Sequence, residues 1–311
     1  MSARAPEPSS GHGHSHAVPQ GADSRLLAIA LAINAGFMVV EVVVGAIAGS
    51  LALLSDAAHM LTDVAALGLA IVAARLAQRR PSGSMTFGWR RAEILSALVN
   101  GVTLVILAAF IAYEGVRRLA QPPEVQAWLV LWVGFAGLGV NGAAAYVLSK
   151  ASGGLNMRGA WLHNLTDAYA SVGTMAAAGV ILLTGFQRAD AIASLLIAVP
   201  MLWMGASLAK AAALVLLEAA PEGIDPDAIG QAMAHEPDIV EVHDLHVWEV
   251  SSGFPSLSAH VLVASDRDCH VARRRLEQLI HERYGIEHTT LQVDHVGGEL
   301  LRIERRPPSG G

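Results

Sequence analysis

Two copies of one five-residue pattern carry the chemistry that this sequence offers. The pattern His-x-Leu-Thr-Asp occurs at residues 59–63 and again at residues 163–167. Residues four apart lie on one face of a helix, so each copy presents an imidazole beside a carboxylate. The pairs His59/Asp63 and His163/Asp167 together supply two nitrogen and two oxygen ligands, a set that suits four-coordinate zinc. The repetition predicts one metal site shared by two helices.

Both copies lie inside long apolar segments, where ionisable groups are costly. Insertion scales put that cost at about 2.5–3.5 kcal/mol for each charged group at membrane depth. A single His-x-x-x-Asp is more often a polar packing pair between helices. Two near-identical copies in separate apolar segments instead favour a functional site.

The composition indicates a membrane protein with several spans. Of the 311 residues, 53% are hydrophobic and 15% charged, and the mean hydropathy is +0.45. The net charge of −6 argues against a nucleic-acid binder. The single cysteine, Cys269, excludes an internal disulfide or a thiolate cluster and leaves 13 histidines as nitrogen ligands. The first 24 residues lack the apolar core of a secretory signal.

Six apolar segments are each long enough for the roughly 20 residues that a bilayer requires. We predict them at residues 26–48, 51–74, 94–116, 127–149, 160–184 and 191–217, within a membrane domain of residues 25–218. The two motifs lie in spans two and five. Halves of three helices insert with opposite orientations, which indicates an inverted repeat with its substrate site near the midplane. By these boundaries the first motif is mid-span and the second near the start of its span, a mismatch that requires a shifted boundary or a tilted helix.

The distribution of arginine and lysine orients the bundle. The loops between spans two and three and between spans four and five carry most of these residues, and Arg25 precedes span one. This bias predicts that both termini face the cytoplasm, although Arg117 and Arg118 run against it.

Other polar residues in the spans divide into packing partners and residues near the motif. Glu41 needs a proton, water or a partner at mid-span, so it could line the ion path or carry a proton. Asp56 lies one turn before His59 and could orient its imidazole. Asn34, Asn100 and Asn141 are more typical of hydrogen bonds between helices.

The two ends of the chain differ from the spans. Residues 1–24 and 297–311 are predicted to be disordered tails. The alternating His12, His14 and His16 form either a weak metal-collecting tract or a neutral tail or tag remnant.

Residues 221–296 have the predicted order α-β-β-α-β, which indicates a small two-layer domain.

This second domain is rich in histidine, and ordinary surface histidines explain the pattern as well as ligands do. His243, His260 and Asp294 lie on or near predicted strands, and His270 begins the second helix. His243 and His246 are three residues apart, so they face opposite sides of a strand unless a bulge intervenes.

Over residues 25–296 the chain resembles the cation diffusion facilitators, a family of zinc-efflux antiporters. The resemblance is carried by four stretches of sequence: residues 50–63, residues 86–93 (Thr-Phe-Gly-Trp-Arg-Arg-Ala-Glu), the pair His163/Asp167, and residues 244–248 (Asp-Leu-His-Val-Trp). It implies a homodimer in the bilayer, most simply a bacterial inner membrane. Each copy would have six transmembrane helices and a cytoplasmic regulatory and dimerisation domain of ferredoxin-like α+β (αββαβ) fold.

The resemblance also implies a site and an activity. His59, Asp63, His163 and Asp167 match the family's tetrahedral transport site, where Zn²⁺ is the substrate and protons are the counter-ions. A cytoplasmic zinc cluster would map onto His243, His260, His270 and Asp294, with Gln292 where some relatives have histidine. The loop site that some relatives form after span two is not expected, because residues 85–93 contain no histidine.

Three other functions compete with zinc export. An exporter of cobalt, nickel, cadmium or manganese would have the same architecture, although two imidazoles argue against manganese. A membrane metal sensor would use the second domain as its working part. An intramembrane metalloenzyme would need an open coordination position and a general base, and the sequence lacks a His-Glu-x-x-His motif.

Overall fold

The computed structural model describes the backbone of residues 22–149 and 155–296, and the side chains of residues 32–146 and 167–296. The tract of His12, His14 and His16 and the tail of residues 297–311 lie outside the described residues. The chain divides into two compact units near Ala213, and each is described by itself.

Six long helices form the first unit, in the order of the six predicted spans. Five of them are long and apolar enough to cross a membrane, and the described part of the first includes the shorter apolar helix Ala32–Ala48. The predicted polytopic helical class is therefore confirmed. The helices are α1 (Ala22–Ala48), α2 (Leu51–Ala77), α3 (Ala92–Ala120), α4 (Ala127–Ser149), α5 (Leu155–Thr184) and α6 (Arg188–Leu216).

A two-residue turn joins α1 to α2. Gly49 adopts φ +68°, a left-handed conformation that glycine reaches without steric cost and that ends α1. Ser50 then caps α2, because its hydroxyl accepts a hydrogen bond from the Leu53 N–H at 3.2 Å. The hairpin packs on α4 and α5 through a core that includes Phe37, Leu53, Val130 and Ala178.

Helices α3 and α6 approach each other closely at two facing glycines. A Cβ atom on Gly101 would lie 2.6 Å from the Ala209 backbone nitrogen, and one on Gly205 would lie 2.9 Å from the Gly101 carbonyl oxygen. Small residues permit this backbone proximity in membrane helices. Leu104 and Met201 pack beside the contact.

The second unit has the predicted αββαβ order. Its elements are α7 (Pro226–Ala234), β1 (Ile239–Glu249), β2 (Pro255–Val263), α8 (Cys269–Tyr284) and β3 (His288–His295). The sheet order is β1-β2-β3, with β1 antiparallel and β3 parallel to the central β2. Ile229 of α7 and Leu276 and Ile280 of α8 pack against Val261 of β2 in one apolar core.

A β-bulge interrupts β1 between His243 and His246. The register shifts there, and Asp244 takes φ +55°, a conformation that aspartate tolerates better than most residues. His243 pairs with His260, and His246 pairs with Ser258. Since residues 258 and 260 share one face of β2, the bulge puts both histidines on that face. The bulge is the condition under which the sequence allowed the two histidines to share a face.

Candidate metal site in the second and fifth helices

The two motifs occupy equivalent places in their helices. His59 is the ninth residue of α2 counted from Leu51, and His163 is the ninth of α5 counted from Leu155. Helix α5 begins five residues before the predicted start at residue 160. Because His59 on α2 and Asp167 on α5 approach each other to 4.0 Å, the two pairs lie at a similar level despite the mismatch that the predicted boundaries gave.

The imidazole of His59 joins α2 to α5. Its Nε2 atom lies 3.7 Å from Asp63 Oδ2 and 4.0 Å from Asp167 Oδ1. In a tetrahedron with zinc–ligand bonds of 2.0–2.2 Å, neighbouring ligand atoms are about 3.3–3.6 Å apart. The two measured distances exceed that edge by only a few tenths of an ångström. His59 and Asp63 are half-buried, and Asp167 is buried.

Three of the four predicted ligands thus converge, and the side chain of the fourth, His163, lies outside the described residues. The role of His163 therefore stays a prediction. No group of three or more His, Cys, Asp or Glu side chains within the described ranges has the geometry to hold a metal ion. His59, Asp63 and Asp167 approach one another without forming a complete coordination shell.

Two further carboxyl groups lie beside this site. Glu41 on α1 and Asp56 on α2 are both buried. Asp56 lies within electrostatic range of His59, Asp63 and Asp167, and Glu41 within range of Asp56 and Asp167. The proposed ligands thus lie close to two further buried carboxyl groups, each of which needs a proton or a cation to compensate its charge.

Comparison with known families assigns the chain. Residues 27–217 match the model of the cation efflux transmembrane domain, and residues 221–296 match that of the cation efflux protein cytoplasmic domain. The chain belongs to the cation efflux family. This family consists of metal cation transporters, so the protein is a transporter and not an enzyme.

Similar proteins extend over nearly the whole length of this cation efflux protein. It is 38% identical over 290 residues to the zinc transporter ZitB of Escherichia coli, covering 91% of this chain and 92% of the relative. It is 36% identical over 289 residues to the cadmium, cobalt and zinc/H(+)-K(+) antiporter of Bacillus subtilis, with shares of 91% and 92%. It is 38% identical over 290 residues to the metal cation efflux system protein CzcD of Cupriavidus metallidurans, with shares of 91% and 90%.

The cytoplasmic-type domain of this cation efflux protein groups three of its four predicted ligands on the sheet face opposite the helices. The rings of His243 and His260 lie 5.4 Å apart at 84°. Gln292 is the register partner of His260, and its Nε2 donates a hydrogen bond to Asp294 Oδ2 at 2.9 Å. His270 lies on another element, in the first turn of α8.

The start of α8 is held by Asp268. Its Oδ1 accepts hydrogen bonds from the backbone N–H groups of Val271 at 3.2 Å and His270 at 2.8 Å. These two hydrogen bonds, the Val271 bond first, favour the charged form and lower the pKa of the Asp268 carboxyl below its ordinary value. Sequence reasoning singled out His270 and passed over this cap, although an Asp before an amphipathic helix is its usual signal.

Proposed function

We propose that this cation efflux protein exports Zn²⁺ through a site of His59, Asp63, His163 and Asp167, in exchange for protons. The observation that supports this proposal most directly is the position of the His59 Nε2 atom, 3.7 Å from Asp63 and 4.0 Å from Asp167. A ligand set drawn from two helices near their midpoints suits an ion that passes between them.

The charges of the proposed site suit a divalent cation. Two aspartates balance the charge of Zn²⁺, so the loaded site is roughly neutral in surroundings of low dielectric, where a net charge is costly. Two imidazoles and two carboxylates favour zinc over manganese, which prefers oxygen ligands.

Proton exchange follows from the requirements of coordination. Ligands bind a metal only in their deprotonated forms, so metal and protons compete for the same atoms. An ordinary imidazole titrates near pH 6.5 and an ordinary Asp near 3.9, so the histidines are the groups that respond to physiological pH differences. In this mechanism His59 and His163 carry the returning protons.

The direction and assembly of the transporter are part of the same proposal. The excess of arginine in the α2–α3 loop supports cytoplasmic termini and export from the cytoplasm. We infer residence in a bacterial inner membrane, because the three relatives named above are bacterial. A homodimer that associates through residues 221–296 agrees with the family of this domain.

We infer in addition that the cytoplasmic domain binds zinc through His243, His260, His270 and Asp294. The paired rings of His243 and His260, together with the nearby Asp294, support this proposal. Gln292 is the register partner of His260. Its amide is a poorer zinc ligand than an imidazole. For the tail, His12, His14 and His16 remain proposed only as a weak collecting tract.

Zinc flux in proteoliposomes tests the transport proposal. Vesicles that contain the purified protein and a trapped zinc-sensitive dye are given zinc and a pH gradient. We expect His59→Ala and Asp63→Ala to reduce flux to the level of empty vesicles. The matched control is His281→Ala, which removes an exposed histidine in the last turn of α8. Unchanged flux in His59→Ala would refute the assigned site.

The same vesicles decide among the competing functions. Replacing zinc with cadmium, cobalt, nickel or manganese gives the metal range, and the name of the Bacillus subtilis relative makes cadmium and cobalt the first alternatives. A metal sensor would show metal binding without flux for every ion in the series.

A further inference from the structure

The first turn of α2 is held by a carboxylate that comes from α6. Asp190 Oδ2 accepts a hydrogen bond from the Leu51 N–H at 2.7 Å, and its Oδ1 accepts one from the Ser50 hydroxyl at 2.5 Å. The Ala52 N–H lies 3.4 Å from the same Oδ1 atom. The first N–H groups of a helix have no partner within the helix and form a partial positive charge. Asp190 therefore accepts hydrogen bonds from the start of α2 and offsets its partial positive charge, although it lies 139 or 140 residues away in sequence.

An arginine from α3 binds the same turn from another direction. Arg118 Nη1 donates a hydrogen bond to the Gly49 carbonyl oxygen at 2.6 Å, and its Nε donates to Glu114 Oε1 at 3.0 Å. Arg118 also lies within electrostatic range of Asp190. Since Asp190 is only 2% exposed, the hydrogen bonds that its carboxylate accepts are shielded from water and are strong. We call Asp190, Arg118 and residues 49–52 the turn clasp.

The turn clasp acts on the helix that carries two of the proposed ligands. His59 lies eight residues beyond Leu51, about 12 Å along the axis at 1.5 Å per residue. All buried residues of α2 except Ala73 lie between Leu51 and Thr62. The half of α2 that contains the motif is therefore the packed half, and its first turn fixes its axial position and rotation.

The turn clasp also ties the α1–α2 hairpin to α3 and α6. Asp190 and Arg118 come from α6 and α3, which pack together. Residues 49–52 belong to the hairpin, and Ala58 of α2 packs against the same apolar cluster of α3 and α6. Helix α2 cannot shift relative to α6 without losing the hydrogen bonds to Asp190.

We propose that Asp190 is a positioning residue for transport, and that with Arg118 it sets the placement of His59 and Asp63 through the first turn of α2. This proposal rests on the transport site proposed above. A misplacement of about 1 Å in a functional group can cost on the order of 100-fold in rate, so small shifts of α2 have large effects.

Three variants of the full chain, assayed for zinc flux in proteoliposomes, test the turn clasp. Asp190→Asn replaces one acceptor oxygen with an NH₂ group that faces another donor. Arg118→Gln removes the bond to Gly49 and leaves the three donors to Asp190 in place. The matched control is Arg117→Gln, which removes the same charge from the next residue. Arg117 also pairs with Glu114, at 3.3 Å, but its side chain is 66% exposed, whereas that of Arg118 is 18% exposed.

The readout separates positioning from simple loss of folded protein. Flux is measured against zinc concentration and divided by the folded fraction from thermal unfolding of the same samples. We expect Asp190→Asn to raise KM for zinc about tenfold or more, and Arg118→Gln to raise it by a smaller factor. Arg117→Gln should stay within about twofold of wild type, as an exposed ion pair contributes little.

Each possible result bears on either the turn clasp or the transport site. If Asp190→Asn does not fold, the KM of Arg118→Gln alone tests the clasp. Normal KM values in all folded variants, or an equal change in Arg117→Gln and Arg118→Gln, would overturn the positioning role. His59→Ala is measured beside these variants. If His59→Ala loses flux while the Asp190 and Arg118 variants transport normally, the positioning role is refuted and the transport site is not. Normal flux in His59→Ala defeats the proposed transport site itself.

Discussion

A methyl group added at Gly101 should force α3 and α6 apart. The new Cβ atom would lie 2.6 Å from the Ala209 nitrogen and 2.9 Å from the Gly205 carbonyl oxygen, where ordinary contact begins near 3.4 Å. Both neighbours are backbone atoms, so no side-chain rotation relieves the overlap. The helices must separate locally by about 0.8 Å, or the backbone must distort.

The expected free-energy cost follows from two opposing effects. Overpacking of this kind costs about 1–3 kcal/mol. Alanine is favoured over glycine within a helix by up to about 1 kcal/mol, which offsets part of that cost. The matched control, Gly173→Ala in α5, has no atom within 4 Å of the new Cβ and should show the helical gain alone. Because the helical gain is common to both variants, they should differ by the overpacking cost alone, about 1–3 kcal/mol.

Thermal unfolding of the purified protein in detergent measures this difference. For a unit of about 150–250 residues, 1 kcal/mol shifts Tm by about 2–4 °C, so Gly101→Ala should unfold roughly 2–12 °C below Gly173→Ala. Gly139→Ala in α4, also free of contacts within 4 Å, provides a second control. If Gly101→Ala unfolds at or above the temperature of both controls, the close approach of α3 and α6 is refuted.

Two further predictions concern the second unit of the full-length protein. Asp268→Asn should destabilise α8 at neutral pH. Because the folded pKa of Asp268 is lowered, its stabilisation is present above the ordinary value of 3.8 and is lost as pH falls through the folded value. A pH series of hydrogen exchange should show this loss in wild type only, and an identical profile in the variant would contradict it. Leu276→Ala, which removes a fully buried side chain, should cost about 2–5 kcal/mol. Hydrogen exchange across residues 226–295 measures that loss, and Val271→Ala, exposed on the same helix, should change it little.

The class of fold and the order of its elements could be predicted because both depend on local patterns. Apolar length identifies membrane helices, and alternation identifies strands, so predicted and observed elements agree within a few residues. The start of α5 shows where this reasoning stops. The apolar span was predicted from residue 160, whereas the helix begins at Leu155, because a helix can continue beyond the apolar core of a bilayer.

Features that depend on distant partners could not be predicted. Asp190 directly precedes the sixth predicted span, and its contact with Leu51 depends on how α6 packs beside the α1–α2 turn. The bulge at Asp244 is likewise a property of the pairing between β1 and β2. Among the proposed transport ligands, the repeated motif led us to expect one site shared by two helices, but the 4.0 Å distance between His59 and Asp167 depends on how those helices pack.

His59 and His163 are each the ninth residue of their helices, and this symmetry bears on the direction of transport. In the proposed inverted repeat, the two helices contribute the same residue types at the same offset and run in opposite senses. An ion bound at the proposed site would then meet similar groups from either side of the membrane. The net direction of exchange is then set by the gradients of metal and protons, because a transporter with no other energy source speeds both directions equally.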